Sequence, residues 1–187
     1  MRLFRTLIFV LVCACLIWLA VLLFVKIFAG GTDTGSRATT NLGSYARVGT
    51  EAIFTIDGPV KLSQDHRTLR ISVDNSEVNM ELYSDYAGSV IQQATFPNTS
   101  EGYEVFLRSL DTLGFNRGED KITKDERGQC PLQNRYVYQL TDNGQDVFRY
   151  WSTSCGPGSS KSQRGPVQTL FQRQVPSQTL DEFLNNM

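Results

Sequence analysis

Residues 7–25 are nineteen consecutive positions without a single charge, the length a helix needs to cross the hydrocarbon core of a bilayer. A helix closes its own backbone hydrogen bonds, so Phe9, Leu11, Leu16, Leu19, Leu22, Leu23 and Phe24 can face lipid at little cost. Arg2, Arg5 and the terminal amine precede the span, and only Lys26 follows within ten residues. That asymmetry predicts a cytoplasmic N-terminus and an exported remainder, with 1–29 as stub and signal anchor. A cleavable signal peptide, cut after Ala29, competes with this reading, but the apolar stretch is longer than such peptides need. Acylation at Cys15 is disfavoured because the apolar run continues ten residues past it. Cys13 and Cys15 then read as small residues packed in the helix or against lipid.

After the span, residues 30–44 are rich in Gly, Ser and Thr and bury little, which predicts a flexible tether. About 140 residues remain, 45–187, enough for one hydrophobic core and not for two. Beyond position 29 there are fifteen basic against nineteen acidic residues, a balance near −4. A nucleic-acid-binding surface needs the opposite sign, so that class is excluded.

The domain reads as α+β. A two-residue turn at Asn75-Ser76 sets Val73 opposite Val78, Ile71 opposite Met80 and Leu69 opposite Leu82, with Arg70 and Glu81 paired on the other face. A slip of one residue would expose the whole apolar set, so the register is strongly specified. A strand over 89–96 follows the bend at Tyr86-Ala87-Gly88, and another near 52–56 precedes the hairpin, making a small antiparallel meander. Tyr103, Phe106, Leu107, Leu110 and Leu113 recur at helical spacing behind Asn98 or Thr99 as cap, with Gly114 as the stop. A second hairpin turns at Asn143-Gly144. Its simple register sets Leu140 opposite Val147, Tyr138 opposite Arg149 and Tyr136 opposite Trp151, which leaves Val137, Phe148 and Tyr150 on the other face. Helical pieces at 166–175 and 180–187 close the chain, the second with Thr179 and Glu182 in capping-box spacing.

Cys130 and Cys155 are the only cysteines beyond the span, and exported thiols pair. A structural disulfide is expected, closing the open end of the second hairpin. The spacing makes neither a Cys-x-x-Cys redox pair nor a zinc site, and no cofactor is expected.

His66 is the sole histidine, flanked by Asp65 and Arg67 at the start of the strand holding Leu69. A general base there is conceivable, but the blander expectation is a surface imidazole among charges. Residues 156–162 resemble a phosphate-binding loop only superficially, because no Gly precedes Lys161. The loop 156–165 reads instead as exposed, held at its base by Cys155 and presenting Lys161 and Arg164 to a partner. The charge-dense stretches 119–121 and 124–127 read as solvated loop, since interleaved lysines break the pattern of a calcium site. Asn98-Thr99-Ser100 matches a glycosylation acceptor, but helix capping accounts for it without sugar. The aromatic residues Tyr136, Tyr138, Phe148, Tyr150, Trp151 and Phe171 fall on both hairpin faces, and the expectation is that the main helix covers one face and the C-terminal helices the other.

The strings Tyr103-Glu104-Val105-Phe106-Leu107, Gly128-Gln129-Cys130-Pro131, Trp151-Ser152-Thr153-Ser154-Cys155 and Leu170-Phe171-Gln172-Arg173-Gln174-Val175-Pro176 resemble single-pass exported, membrane-anchored proteins of the Saccharibacteria type. The similarity runs over 67–176. It implies an outward-facing bacterial domain and carries over no catalytic residue.

Together these observations point to a membrane-tethered extracytoplasmic domain that binds a protein or a component of the cell envelope and is not an enzyme. An inhibitor of proteases or hydrolases, acting through the loop 156–165, is the second expectation. An envelope enzyme using His66 is the third.

Overall fold

The structure, a computed structural model, describes residues 41–187 except Lys121, Thr123 and Lys124. The predicted span 7–25 and tether positions 30–40 lie outside the described residues. Among the described residues no helix is long and apolar enough to cross a membrane.

The alternation of apolar and polar residues in 67–84 folds as the sequence dictates. β2 (Arg67–Val73) and β3 (Glu77–Ser84) pair antiparallel with Val73 opposite Val78, Ile71 opposite Met80, Leu69 opposite Leu82 and Arg70 opposite Glu81. Asp74 Oδ1 accepts from the backbone N–H groups of Ser76 and Glu77 at 2.6 and 2.8 Å, which sets the turn. β1 (Thr50–Asp57) and β4 (Ser89–Pro97) join as expected, β1 on β2 and β4 on β3.

The second hairpin, β5 (Arg135–Asp142) and β6 (Gln145–Thr153), is not a separate unit. β5 pairs with β1 along eight residues, so the described strands form one antiparallel sheet in the order β4-β3-β2-β1-β5-β6. The turn at Asn143 and Gly144 has φ of 49° and 76°, the left-handed pair that a tight hairpin requires and that Gly144 adopts without strain. The simple register then fails. A bulge between Leu140 and Thr141 shifts the pairing, so Leu140 meets Phe148, Tyr138 meets Tyr150 and Tyr136 meets Ser152. With Val147 present the shift keeps the faces in order, because pairing these residues without it would turn Arg149 toward the core and Phe148 and Tyr150 away from it.

The corrected register gives the sheet one apolar face. Phe54, Leu69, Ile71, Met80, Leu82, Tyr138 and Leu140 are buried there in one cluster with Tyr103, Phe106, Leu107 and Leu110 of α1 (Ser100–Thr112). Thr99 caps α1 by accepting from the Gly102 N–H at 3.0 Å, and Gly114 stands just past its end at φ 74°. Asn98, the other candidate cap, donates its amide to the Asp74 carbonyl at 2.6 Å instead. The same cluster takes in Val167 and Phe171 of α2 (Arg164–Gln172) and Phe183 of α3 (Ser177–Asn185). Phe171 lies 5.4 Å from Phe54 and 5.0 Å from Phe106, ring centre to ring centre. The C-terminal helices therefore share a face with α1, contrary to the expectation that they cover the opposite one. The expected capping box also fails: α3 begins at Ser177 behind Pro176, placing Thr179 inside the helix. Proline fixes its own φ and prevents α2 from continuing into α3, so it sets the break earlier than a Thr at 179 would. At the front, Leu42 is fully buried in a 3-10 turn (Leu42–Tyr45), so packed structure begins at positions assigned from sequence to the tether.

The second face of the sheet carries the alternate residues. Ile53, Val137 and Trp151 are buried on it, while Arg70 approaches Glu51 at 3.9 Å. Arg149 on β6 pairs with Glu126 at 2.7 Å, which brings the segment after the undescribed positions over this face.

Candidate functional site

At one end of the second face, β1, β2 and β5 place Asp57, Thr68 and Arg135 side by side, Asp57 being in register with both others. Each is two residues beyond a position facing away from the core, so strand periodicity alone puts all three on this face. Asp57 is the hub. Its Oδ1 lies 2.8 Å from His66 Nε2 and accepts from the Thr68 hydroxyl at 3.1 Å, and its Oδ2 accepts from Arg135 Nε at 2.7 Å.

Both His66 nitrogens face oxygens, since Nδ1 lies 3.1 Å from the Pro59 carbonyl. A carbonyl only accepts, so Nδ1 carries a proton. Nε2 is shared between the Asp57 carboxylate and the Thr68 hydroxyl, the latter at 3.3 Å, so both ring nitrogens are engaged by the protein. The His66 side chain is only 3% exposed, which corrects the expectation of a surface imidazole. Burial became possible because the Asp57 carboxylate and the Pro59 carbonyl satisfy the ring and Tyr86 covers it. The two rings stack with centres 4.2 Å apart, and Tyr86 is tied across by its hydroxyl to the Lys61 carbonyl at 3.0 Å.

Gly58 ties Arg135 to the end of β2. Its N–H donates to the Arg67 carbonyl at 3.0 Å, its carbonyl accepts from Arg135 Nη2 at 2.6 Å, and a Cβ here would sit 2.7 Å from the Arg67 carbonyl oxygen. Only glycine allows that approach. The result is a cleft of about 350 Å³ lined by Asp57, His66, Thr68 and Arg135 at its base, with Tyr83, Asp85 and Tyr86 on one wall and 126–128 on the other.

The second wall is held by the predicted disulfide. Cys130 and Cys155 are bonded, and the Val60 N–H donates to the Pro131 carbonyl at 2.7 Å, tying the wall to the loop after β1. Charges along the rim are paired. Asp125 is held down to about 2, first by hydrogen bonding from Arg127, whose own value is raised by the same contact. Asp85 is lowered first by the Ser89 hydroxyl and further by the Ala87 and Gly88 N–H groups. Tyr83 is raised, first by burial and then by its hydrogen bond to Glu81, so its phenol stays protonated.

The other candidate residues lie elsewhere. Residues 158–160 are buried, not exposed as expected of that loop: Ser159 Oγ accepts from the Trp151 N–H at 3.0 Å and the Ser160 N–H donates to the Trp151 carbonyl at 2.9 Å. The strip zips onto β6 because an edge strand offers unpaired backbone groups. Lys161 remains on the surface and pairs with Glu119 at 3.0 Å. Arg164, also at the surface, lies over the Tyr136 ring at 5.0 Å and donates to the Thr153 carbonyl at 2.8 Å. The stretch 125–127, expected as solvated loop, splits: Asp125 and Arg127 are exposed, while Glu126 is buried against Arg149.

Sequence reasoning found His66 but missed Asp57, Thr68, Tyr86 and Arg135. Strand parity was the available signal for Asp57 and Thr68. The pairing of β1 with β5, which brings in Arg135 from 78 positions away, left no local trace. Among the described residues no group of three or more His, Cys, Asp or Glu side chains is arranged to hold a metal. Compared with known family models and with curated proteins, the chain matches none.

Proposed function

We propose that this chain is a membrane-tethered, outward-facing bacterial binding domain, non-enzymatic, whose ligand seat is the cleft around Asp57, His66 and Arg135. The observation that carries the reading is that the fold engages both nitrogens of the buried His66 ring. A general base needs a lone pair aimed at substrate, and both ring nitrogens here are spent on Asp57 and Pro59 at 2.8 and 3.1 Å. What the cluster supplies is a rigid, buried set of charges beside an open wall of Tyr83 and Tyr86, the composition of a recognition site. The tethered setting rests on the uncharged stretch 7–25 and its flanking arginines, and the disulfide accords with an oxidising compartment.

The inhibitor reading loses ground because the middle of the loop 156–165 is buried along β6, whereas an inhibitory segment must offer its backbone to a protease. The enzyme reading gains a cleft but lacks a base with a free nitrogen.

Two measurements on the full chain in intact cells test the proposal. A cysteine introduced for Val48, which is 79% exposed, should react with a membrane-impermeant maleimide without lysis. Labelling only after lysis would reverse the topology. A photo-crosslinking amino acid in place of Tyr86 should give a discrete adduct that the same group in place of Gln178 does not, and identical patterns from both sites would remove the cleft as the seat.

A further inference from the structure

The two edges of the sheet are finished differently. Along β6 the strip 158–160 takes up the outer backbone groups of Trp151, through the Ser160 N–H at 2.9 Å and the Ser159 hydroxyl at 3.0 Å. β4 stands at the other edge with β3 on one side, and among the described residues no strand pairs with its outer side. Strand parity says which groups point outward. The Asn98 N–H donates to the Ser76 carbonyl at 2.8 Å, toward β3. Ladder bonds alternate, so Phe96, Ala94 and Gln92 turn their backbone groups in to β3 while Thr95 and Gln93 turn theirs out. Pro97, with no N–H to give, falls at an outward position as this parity requires. Gln93 and Thr95 are both exposed, and an open edge of this kind is a template for another strand.

The chemistry of this edge matches itself. Residues 86–100 hold no charged side chain, although 20% of the chain is charged. Exposed edges are commonly blunted by lysines, whereas here only Pro97 and the bulge that leaves Ile91 unpaired bound an uninterrupted window over 92–96. A charged peptide finds nothing there to select it, but a second copy brings the same neutral strand with no like charges to repel. An antiparallel pair centred on Ala94 sets Gln93 opposite Thr95 of the second copy and Thr95 opposite its Gln93, so that each outward residue meets one equally able to exchange N–H and C=O. Centring on Gln93 or on Thr95 would instead spend a pairing on the bulged Ile91 or on Pro97. Ala94, the smallest side chain of the strand, then sits on the axis. Just beyond the window Ile91, 51% exposed, comes up to Pro97 of the second copy, apolar against apolar.

We infer that this edge is an interface between two copies of the chain: β4 pairs with β4 antiparallel about a two-fold axis at Ala94 and joins the two six-stranded sheets into one. The same patch serves on both copies, which closes the pair and leaves no further edge of this kind exposed. A single strand pair is small beside the roughly 1,600 Å² of a standard interface, so the dimer belongs to the weak, reversible class. The inference stands apart from the reading of the cleft, and neither depends on the other.

Cysteine crosslinking of the full chain in the membranes of expressing cells tests the register. In a background of Cys13→Ala and Cys15→Ala, with Cys130 and Cys155 bonded to each other, Ala94→Cys should give a disulfide-linked dimer on mild oxidation, seen on a non-reducing gel. Across the axis the two Cα atoms lie about 4.5 Å apart, within reach of a disulfide. Gln92→Cys is the control, because it shares the face of Ala94 but is displaced from its counterpart by about 13 Å along the strand, and it should crosslink at least tenfold less. Sedimentation equilibrium of the full chain in detergent micelles reads the association itself. Thr95→Pro removes an outward N–H that the ladder with β3 does not use, and Gln93→Lys adds a charge to the edge opposite Glu81 of the same chain. Each should weaken the dimer at least tenfold with an unchanged circular dichroism spectrum. A monomer at every concentration, equal crosslinking from positions 92 and 94, crosslinking of position 94 to a different protein alone, or a dimer that both variants leave intact would each overturn the inference.

Discussion

Asp57 holds His66, Thr68 and Arg135 with its two carboxylate oxygens, so its removal is felt by three strands and a loop. Asp57→Asn keeps the shape but leaves the buried Arg135 guanidinium without its counter-charge. It should destabilise the fold by about 3 kcal/mol, read by urea denaturation, whereas Lys161→Ala, an exposed pair with Glu119, should change stability little. Tyr103 behaves differently because it is buried in the core and burial pushes its phenol up to about 12. In the unfolded chain the same group ionises near 10, so the unfolded state releases its proton first as pH rises. The stability that Tyr103 confers is intact below pH 10 and drains away between 10 and 12, by roughly 2–3 kcal/mol. Ultraviolet titration should find Tyr103 among the late-ionising tyrosines, its step coupled to loss of tertiary signal, and replacement by Phe should remove that step. At this scale the sequence was a partial guide. His66 stands out by being alone, but Asp57 and Arg135 are two ordinary charges until the fold sets them 2.7 Å apart.

Among the elements, the hairpin of β2 and β3 was legible to the residue because one face of each strand is wholly apolar and a slip would expose it. The α1 stripe was legible for the analogous reason at helical period. The hairpin of β5 and β6 was not, since apolar residues on both faces leave the register without a sequence-level penalty. The bulge beside Leu140 resolves it by inserting Val147, which lets Phe148 and Tyr150 join Tyr138 on the core side. Deleting Val147 should therefore regularise the ladder without swapping faces. The expected outcome is a folded protein that has lost under about 2 kcal/mol, most of it the burial of one Val side chain, with amide exchange in β6 still slow. Collapse of exchange protection throughout β5 and β6 would mean that the bulge itself is required.

For the whole molecule, the disulfide joins residues 25 apart, from the wall of the cleft to the end of β6. Cys130→Ala with Cys155→Ala frees a loop whose closure is worth roughly 3–4 kcal/mol in the chain-entropy description. Because 126–128 line the cleft just ahead of Cys130, crosslinking from a photo-reactive residue at Tyr86 should fall further than for a double mutant made in α3, and comparing the adduct yield of the two variants measures the difference. Sequence alone determined the features that depend on composition and short-range periodicity: the apolar stretch 7–25, the first hairpin with its register, the capped helix α1, and the pairing of the two cysteines beyond position 29. Only tertiary structure decided that β5 docks on β1, that three helices share one face, and that Asp57, His66 and Arg135 meet beneath Tyr86. The division follows from physics. Periodic burial is written within a few residues, whereas a contact between positions 57 and 135 is selected by the packing of the entire sheet and leaves its mark on no single stretch of chain.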